Sequence, residues 1–278
     1  MSQAAHPRGE DEAASMSRGA IWLAALTAAA APVAGFAASV RVVDGALAGE
    51  PCRYIAVLPD PANAYPRARQ GEVGLIEGWA LAQAVHEVIA ADRDARKRAI
   101  VAVVDVSSQA YGRREEAFGI HQALAGAAGA YAAARLAGHP VIALLVGKAM
   151  SGAFLAHGYQ ANRLIALNDA GVMVHAMGKA AAARVTLRSV DELERLAASV
   201  PPMAYDIASY ASLGLLWKLL DVHDANAPDA HDLAAVRRAL EAAWRDILDD
   251  ADRDLRSRLG SINRQASSRV RERLAALW

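Results

Sequence analysis

One segment of this chain has the residue types and spacing to steady a developing negative charge. It reads Val146-Gly147-Lys148-Ala149-Met150-Ser151-Gly152-Ala153-Phe154 and follows the apolar run Val141 to Val146, itself opened by Pro140. Small residues are required where main chain must come close to a ligand, because a Cβ would obstruct the approach. A strand that turns here into a helix leaves the first helical N–H groups without intrahelical acceptors. Those groups sit at the positive end of the helix dipole. Donors aimed in advance at an oxygen that turns anionic lower a reaction barrier. The same pattern also suits a tight crossover that only packs well, so both readings stand at this point.

Other residues near this segment carry the same double meaning. His175 can polarise a carbonyl or exchange a proton, or it can be a hydrogen-bonded histidine at a strand end. Lys148 can pair with a carboxylate or phosphate, or be a solvated lysine in a turn. Ser151 can bond substrate or cap free helix N–H groups. Tyr111 and Arg113 can line a substrate entrance or cap the next helix. His121, His139 and His157 have no spacing that requires a metal and are read as structural, so no metal is expected.

The elements that must position these groups follow from periodicity. Val40 to Gly45 and Arg53 to Leu58 are short β-like runs around a Gly-containing connection. Pro59 to Gly74 reads as a loop, and Leu75 to Ala91 as a helix with Trp79, Ala82, Val85 and Ile89 on its apolar side. Ile100 to Val104 is a continuous β-branched run, as in a strand buried on both faces. A helical stretch then runs to about Leu136, and Val141–Val146, Arg163–Leu167 and Val172–Val174 are further strands. Strand, helix and strand alternate, which predicts a parallel sheet with helical crossovers. Ser189-Val190-Asp191-Glu192 has capping-box spacing, with Pro201-Pro202 as the stop. Leu233, Val236, Leu240, Trp244 and Ile247 recur at helical spacing, Leu255, Leu259 and Ile262 continue the habit, and the charged run from Arg253 to Arg273 reads as the solvated face of a helical tail. Domain limits follow: residues 1–17 a polar disordered tail, 18–224 the α/β domain, 225–278 a helical C-terminal extension.

Bulk properties narrow the function. The 278 residues are 54% hydrophobic and only 5% aromatic, enough for a sizeable, closely packed core. Thirty basic residues balance thirty acidic ones, which removes the electrostatic basis for nucleic-acid binding. The single Cys52 excludes an internal disulfide or a multi-thiolate metal site and fits a reducing, cytoplasmic setting. The uncharged stretch Gly19 to Val40 imitates a membrane span or secretory signal. Pro32 and Gly35 interrupt it and Ala supplies its bulk, so it is read as a soluble helix ending near Pro32.

Gly147 to Gly158, Ala161-Asn162-Arg163 and Gly171 to Met177 together closely resemble the malonate decarboxylase gamma subunit family. Val104 to Gln109 and Pro201 to Asp206 are also similar to it. The likeness runs from about Ile100 to Asp221, is looser before Ile100, and does not place the tail beyond Asp224. It implies a crotonase-like (ClpP/crotonase) α/β core with a helical C-terminal extension. It also implies backbone oxyanion donors at Gly152 and Ala153, and a second set in the turn Gln109, Ala110, Tyr111. Apart from the resemblance, Lys148, Ser151 and Arg113 remain the candidate substrate contacts on the residue types read above.

The implied activity is decarboxylation of a malonyl thioester carried on an acyl carrier (delta) subunit, shared with a beta subunit beside an alpha subunit. The prosthetic group would be CoA-derived and belong to the carrier, so this chain itself would bind no cofactor. Neither nucleic acid nor membrane is an expected partner. A biotin-dependent carboxyltransferase subunit and a non-catalytic scaffold are the alternatives. Ala149-Met150-Ser151-Gly152-Ala153 approaches a nucleophile elbow, but both flanking glycines are alanine. In Clp-type peptidases the matching nucleophile position falls on Met150. A one-residue offset at a helix start turns a side chain by about 100°, which argues against nucleophilic catalysis.

Overall fold

The structure, a computed structural model, describes residues 16–278. Most of the expected N-terminal tail therefore lies outside the described residues. The first two strands, β1 (Val40–Leu47) and β2 (Glu50–Val57), form an antiparallel hairpin with Val40 opposite Val57 and Leu47 opposite Glu50. Next come β3 (Ala99–Val106), β4 (Val141–Met150), β5 (Arg163–Leu167), the short β6 (Met173–His175) and β7 (Lys218–Leu220). From β2 onward the pairings are parallel, in the order β1-β2-β3-β4-β5-β7, with β6 paired to β4.

The course of β4 decides where a site can form. Its first half, Ile142 to Leu145, pairs with β5, and its last three residues, Lys148 to Met150, pair with β6. The strand thus exchanges one neighbour for another near Gly147. It also runs four residues further than the apolar run predicts, so the small-residue segment is strand as far as Met150 and helix from Ser151. Residues 100–104 and 141–146 are fully buried. Each Val, Leu or Ile there contributes about 1.5–3 kcal/mol on leaving water.

Helices cover the sheet. α1 (Arg18–Leu26) stops well before Pro32, because Ala28 and Ala29 enter the left-handed region at φ 50° and 53°. α2 (Leu75–Ala91) has the predicted limits, but its buried side carries Leu81, Ala82, Ala84, Val85 and Val88, while Trp79 is 52% exposed. The helical stretch after Gly112 divides into α3 (Arg113–Ala117) and α4 (Ile120–Leu136) at Gly119, φ +81°. α2 and α4 pack closely: a Cβ on Gly78 would stand 2.7 Å from the Ala123 carbonyl carbon.

After β4 come α5 (Ser151–Ala156), then α6 (Lys179–Thr186), α7 (Val190–Ala197) and α8 (Ile207–Ser212). The capping box of α7 is formed: Ser189 Oγ accepts the Glu192 N–H at 3.1 Å and Glu192 accepts the Ser189 N–H at 2.7 Å. α9 (Ala230–Asp249) buries Val236, Leu240 and Ile247 in the same core as the sheet. Residues 250–264 do not continue that helix; they make only two short 3-10 turns before α10 (Gln265–Leu277). Arg258, read as part of a solvated face, is instead buried and donates to the Tyr159 and Ala161 carbonyls. Leu259 and Ile262 are exposed. No helix of the described residues is long and apolar enough to cross a membrane.

Candidate active site

At the C-terminal end of β4 lies a cavity of about 420 Å³. Ligands of parallel sheets are generally held at the carboxyl ends of strands. Gln109, Ser151, Gly152 and His175 all line it, so three separate segments of chain supply its polar groups. Phe154, Leu155 and Tyr159 form one apolar wall, and Pro202, Ala204, Tyr210, Leu213 and Leu215 another. The Pro202-to-Leu215 wall comes from the α8 region.

The first turn of α5 is set by Ser151, whose φ of 56° lets the strand bend directly into the helix. A left-handed non-glycine residue costs roughly 1–2 kcal/mol, and such strain concentrates at functional sites. The Ser151 hydroxyl donates to the Ala176 carbonyl. Its proton is therefore directed at main chain and not at His175, which agrees with the argument against a serine nucleophile. The Gly152 N–H, expected as an oxyanion donor, is instead occupied: it donates to Gln109 Oε1 at 3.0 Å. A Cβ on Gly152 would fall 3.3 Å from that oxygen, so glycine allows the close approach.

The second turn also departs from expectation. The Ala110 N–H donates to the Val73 carbonyl at 2.9 Å and the Tyr111 N–H to the Gln109 carbonyl at 2.9 Å. Both amides are consumed by neighbouring peptide groups and cannot serve as oxyanion donors. The group this turn offers is the Gln109 side chain. With Oε1 held by Gly152, the Gln109 NH₂ is left to donate elsewhere. Among the described residues it has no acceptor.

Lys148, Arg113 and Tyr111 do not line the cavity; all three are exposed. Tyr111 is drawn instead toward Glu116, whose carboxylate raises its phenol pKa. Gly147 serves a different purpose from the one its position suggests. A Cβ there would lie 2.1 Å from Asp105 Oδ1, and Asp105 accepts the N–H groups of Lys148 at 3.1 Å and Gly19 at 3.2 Å. This glycine admits a bracing carboxylate, not a ligand. Ala153, expected as the other oxyanion donor of this turn, is fully buried and does not line the cavity.

His175 is stacked on Tyr205, ring centroids 3.8 Å apart and 13° from parallel. Burial lowers its pKa, partly countered by the Met177 carbonyl 3.0 Å from Nδ1. The Met177 N–H also reaches Nδ1, at 3.3 Å, so either neutral tautomer finds a partner. Tyr210, 7% exposed, has a hydroxyl without a hydrogen-bond partner among the described residues, and burial raises its pKa.

The histidines away from the cavity differ from one another. His157 is fully buried between the Tyr131 hydroxyl at 3.0 Å and the Val103 carbonyl at 3.1 Å. His139 faces the Arg98 carbonyl at 3.0 Å, and His121 is on the surface. Cys52 is buried in the core, which pushes its thiol pKa up and leaves it inert.

The malonate decarboxylase gamma subunit family matches residues 68–278, three quarters of the sequence and the whole of the cavity. The chain belongs to this family. A Pseudomonas malonate decarboxylase hetero-tetramer in complex with coenzyme A contains a chain 67% identical, TM-score 0.91, over 94% of this chain and 100% of that one. The Pseudomonas MdcD–MdcE hetero-dimer contains one 66% identical, TM-score 0.87, with the same coverage. Malonyl-S-ACP:biotin-protein carboxyltransferase of Malonomonas rubra is 35% identical over 164 residues, 58% of this chain and 56% of that protein. A transcarboxylase 12S chain is 19% identical with TM-score 0.61, over 81% of this chain and 40% of that one, a likeness of fold. The α/β, crotonase-like architecture is thereby shown.

For a malonate decarboxylase gamma subunit, the polar groups of the cavity were largely visible in sequence, but its walls were not. The Pro201-to-Asp206 segment is recognisable as family-like without revealing that Pro202 and Ala204 face the cavity or that Tyr205 carries His175. Tyr210 has no sequence signal; only its buried, unpartnered hydroxyl draws attention to it.

Proposed function

We propose that this chain, paired with a beta subunit, converts malonyl-S-acyl carrier protein to acetyl-S-acyl carrier protein and carbon dioxide. The observation that carries the reading is the convergence of Gln109, Gly152 and His175 on one cavity with apolar walls. When the carboxylate leaves as carbon dioxide, its bonding electrons pass to the α-carbon and delocalise onto the thioester oxygen as an enolate. A proton then returns to the α-carbon. The Gln109 NH₂, aimed by the bond from the Gly152 amide to its Oε1, is the donor suited to a carbonyl oxygen that gains charge, and His175 is suited to proton exchange. Groups that hold the enolate better than the ground state are those that raise the rate.

The malonyl group would arrive on the CoA-derived arm of an acyl carrier (delta) subunit, with an alpha subunit completing a cytoplasmic complex. Since the site would lie between related subunits, either partner can hold the thioester. In that arrangement the gamma chain can instead hold the departing carboxylate. The test mixes purified beta and gamma subunits with malonyl-acyl carrier and follows acetyl formation. No conversion by the pair, or full conversion by the beta subunit alone, refutes the proposal. The Malonomonas rubra relative favours one second reading, a biotin-dependent carboxyltransferase. Turnover that requires biotin would select it.

A further inference from the structure

Away from the cavity, the connection after β7 and the first turn of α9 gather His223, Asp229, His231 and Asp232. One donor atom from each lies within 4.8 Å of all the others. His223 Nδ1 is 3.1 Å from Asp229 Oδ2 and 3.6 Å from Asp232 Oδ1. Two ligands of one tetrahedral ion, each about 2.1 Å from it, stand roughly 3.4 Å apart. The observed separations bracket that edge. The His223 and His231 rings are 4.9 Å apart between centroids and 21° from parallel.

The carboxylates are aimed before any ion arrives. Asp229 Oδ1 accepts the Asp232 N–H at 2.8 Å, leaving Oδ2 toward His223. Asp232, 1% exposed, accepts the N–H groups of His223 at 2.8 Å and Asp224 at 3.3 Å. Each carboxylate keeps a lone pair for a further partner, and bonds of this kind orient metal ligands. Two carboxylates balance one divalent charge. Two imidazoles with carboxylate oxygen suit zinc and its neighbours better than magnesium or calcium.

We propose that His223, His231, Asp229 and Asp232 bind one divalent ion of the zinc class. The ion would tie α9 to a loop that also anchors α1, since the Ala225 carbonyl accepts from Trp22 Nε1 at 2.9 Å and Asn226 Oδ1 from Arg18 Nε at 2.8 Å. The site is structural and lies outside the cavity. The test titrates the chelator-stripped, full-length chain with zinc chloride by calorimetry and repeats it on His223→Ala/His231→Ala. Wild type should bind one equivalent, and the double variant should lose more than the roughly 10–100-fold that removal of an outer-shell partner costs. His86→Ala/His121→Ala, which alters two exposed histidines elsewhere, should bind as wild type does. Zinc-edge anomalous scattering from wild-type crystals should place the ion between His223 and His231. Equal binding by the His223/His231 variant, or no stoichiometric zinc on wild type, overturns the proposal.

Discussion

Gln109 Oε1 accepts the Gly152 N–H at 3.0 Å, across 43 residues of sequence. The contact orients the amide of Gln109 so that its NH₂ faces away from Gly152. Gln109→Glu keeps an acceptor for Gly152 but removes the donor, whereas Gln109→Ala removes both. Each is expected to lower kcat by about 10²–10³, the loss of one oxyanion donor, with the beta–gamma complex still assembled on gel filtration. Near-native turnover by Gln109→Glu would show that the NH₂ is not used.

Gly152 tolerates little, because a Cβ there sits 3.3 Å from Gln109 Oε1. Gly152→Ala should reduce turnover modestly and Gly152→Val should abolish it, with assembly unchanged in both. If Gly152→Val assembles and remains active, the chain is a scaffold and the chemistry belongs to its partner.

Ser151→Ala should leave most of the activity. It deletes the bond to the Ala176 carbonyl, an expected loss of about 1 kcal/mol in urea unfolding. A hydrolytic nucleophile would instead be silenced. Acetyl formation and a chromogenic ester assay on the same preparation separate the outcomes.

Gly147→Ala is predicted to damage the fold more than the chemistry. Its methyl would collide with Asp105 Oδ1 at 2.1 Å and displace the carboxylate that holds the Gly19 and Lys148 amides. Overpacking of this kind costs about 1–3 kcal/mol or more, readable as a lowered Tm of the isolated chain.

Acid should unfold the chain through buried imidazoles. Burial holds the His157 pKa at about 4, below the 6.5 of an exposed histidine. Between those values the unfolded chain binds a proton that the native chain refuses, so stability is complete above about 6.5 and falls as pH drops toward 4. The window corresponds to about 3 kcal/mol for this residue. His139 and His175, also lowered chiefly by burial, add in the same direction. Urea midpoints measured from pH 7 to 4 should fall, and His157→Phe should flatten the slope by about one proton while lowering stability at pH 7.

The sequence by itself determined most of the elements and the segments that bring Gln109, Ser151, Gly152 and His175 to the cavity. Unbroken apolar runs marked β3 and β4, helical spacing marked α2 with its limits, and Ser189 with Glu192 marked the start of α7. These are local signals: side-chain period, capping and breakers act over a few residues. The same locality explains the misjudged pieces. Gly119 inside a helical pattern, the left-handed Ala28 and Ala29, and the break at residues 250–264 depend on which packing surface each segment finds.

Tertiary structure alone decided which candidate groups met. The amides of Ala110 and Tyr111 were lost to neighbouring carbonyls, while the Gln109 side chain took the place beside Gly152. Gly147 turned out to make room for Asp105, and His223 came to face His231. Hydrogen-bond partners and side-chain clusters of this kind are set by strand register and by the packing of helices against the sheet, and chain spacing carries no record of either.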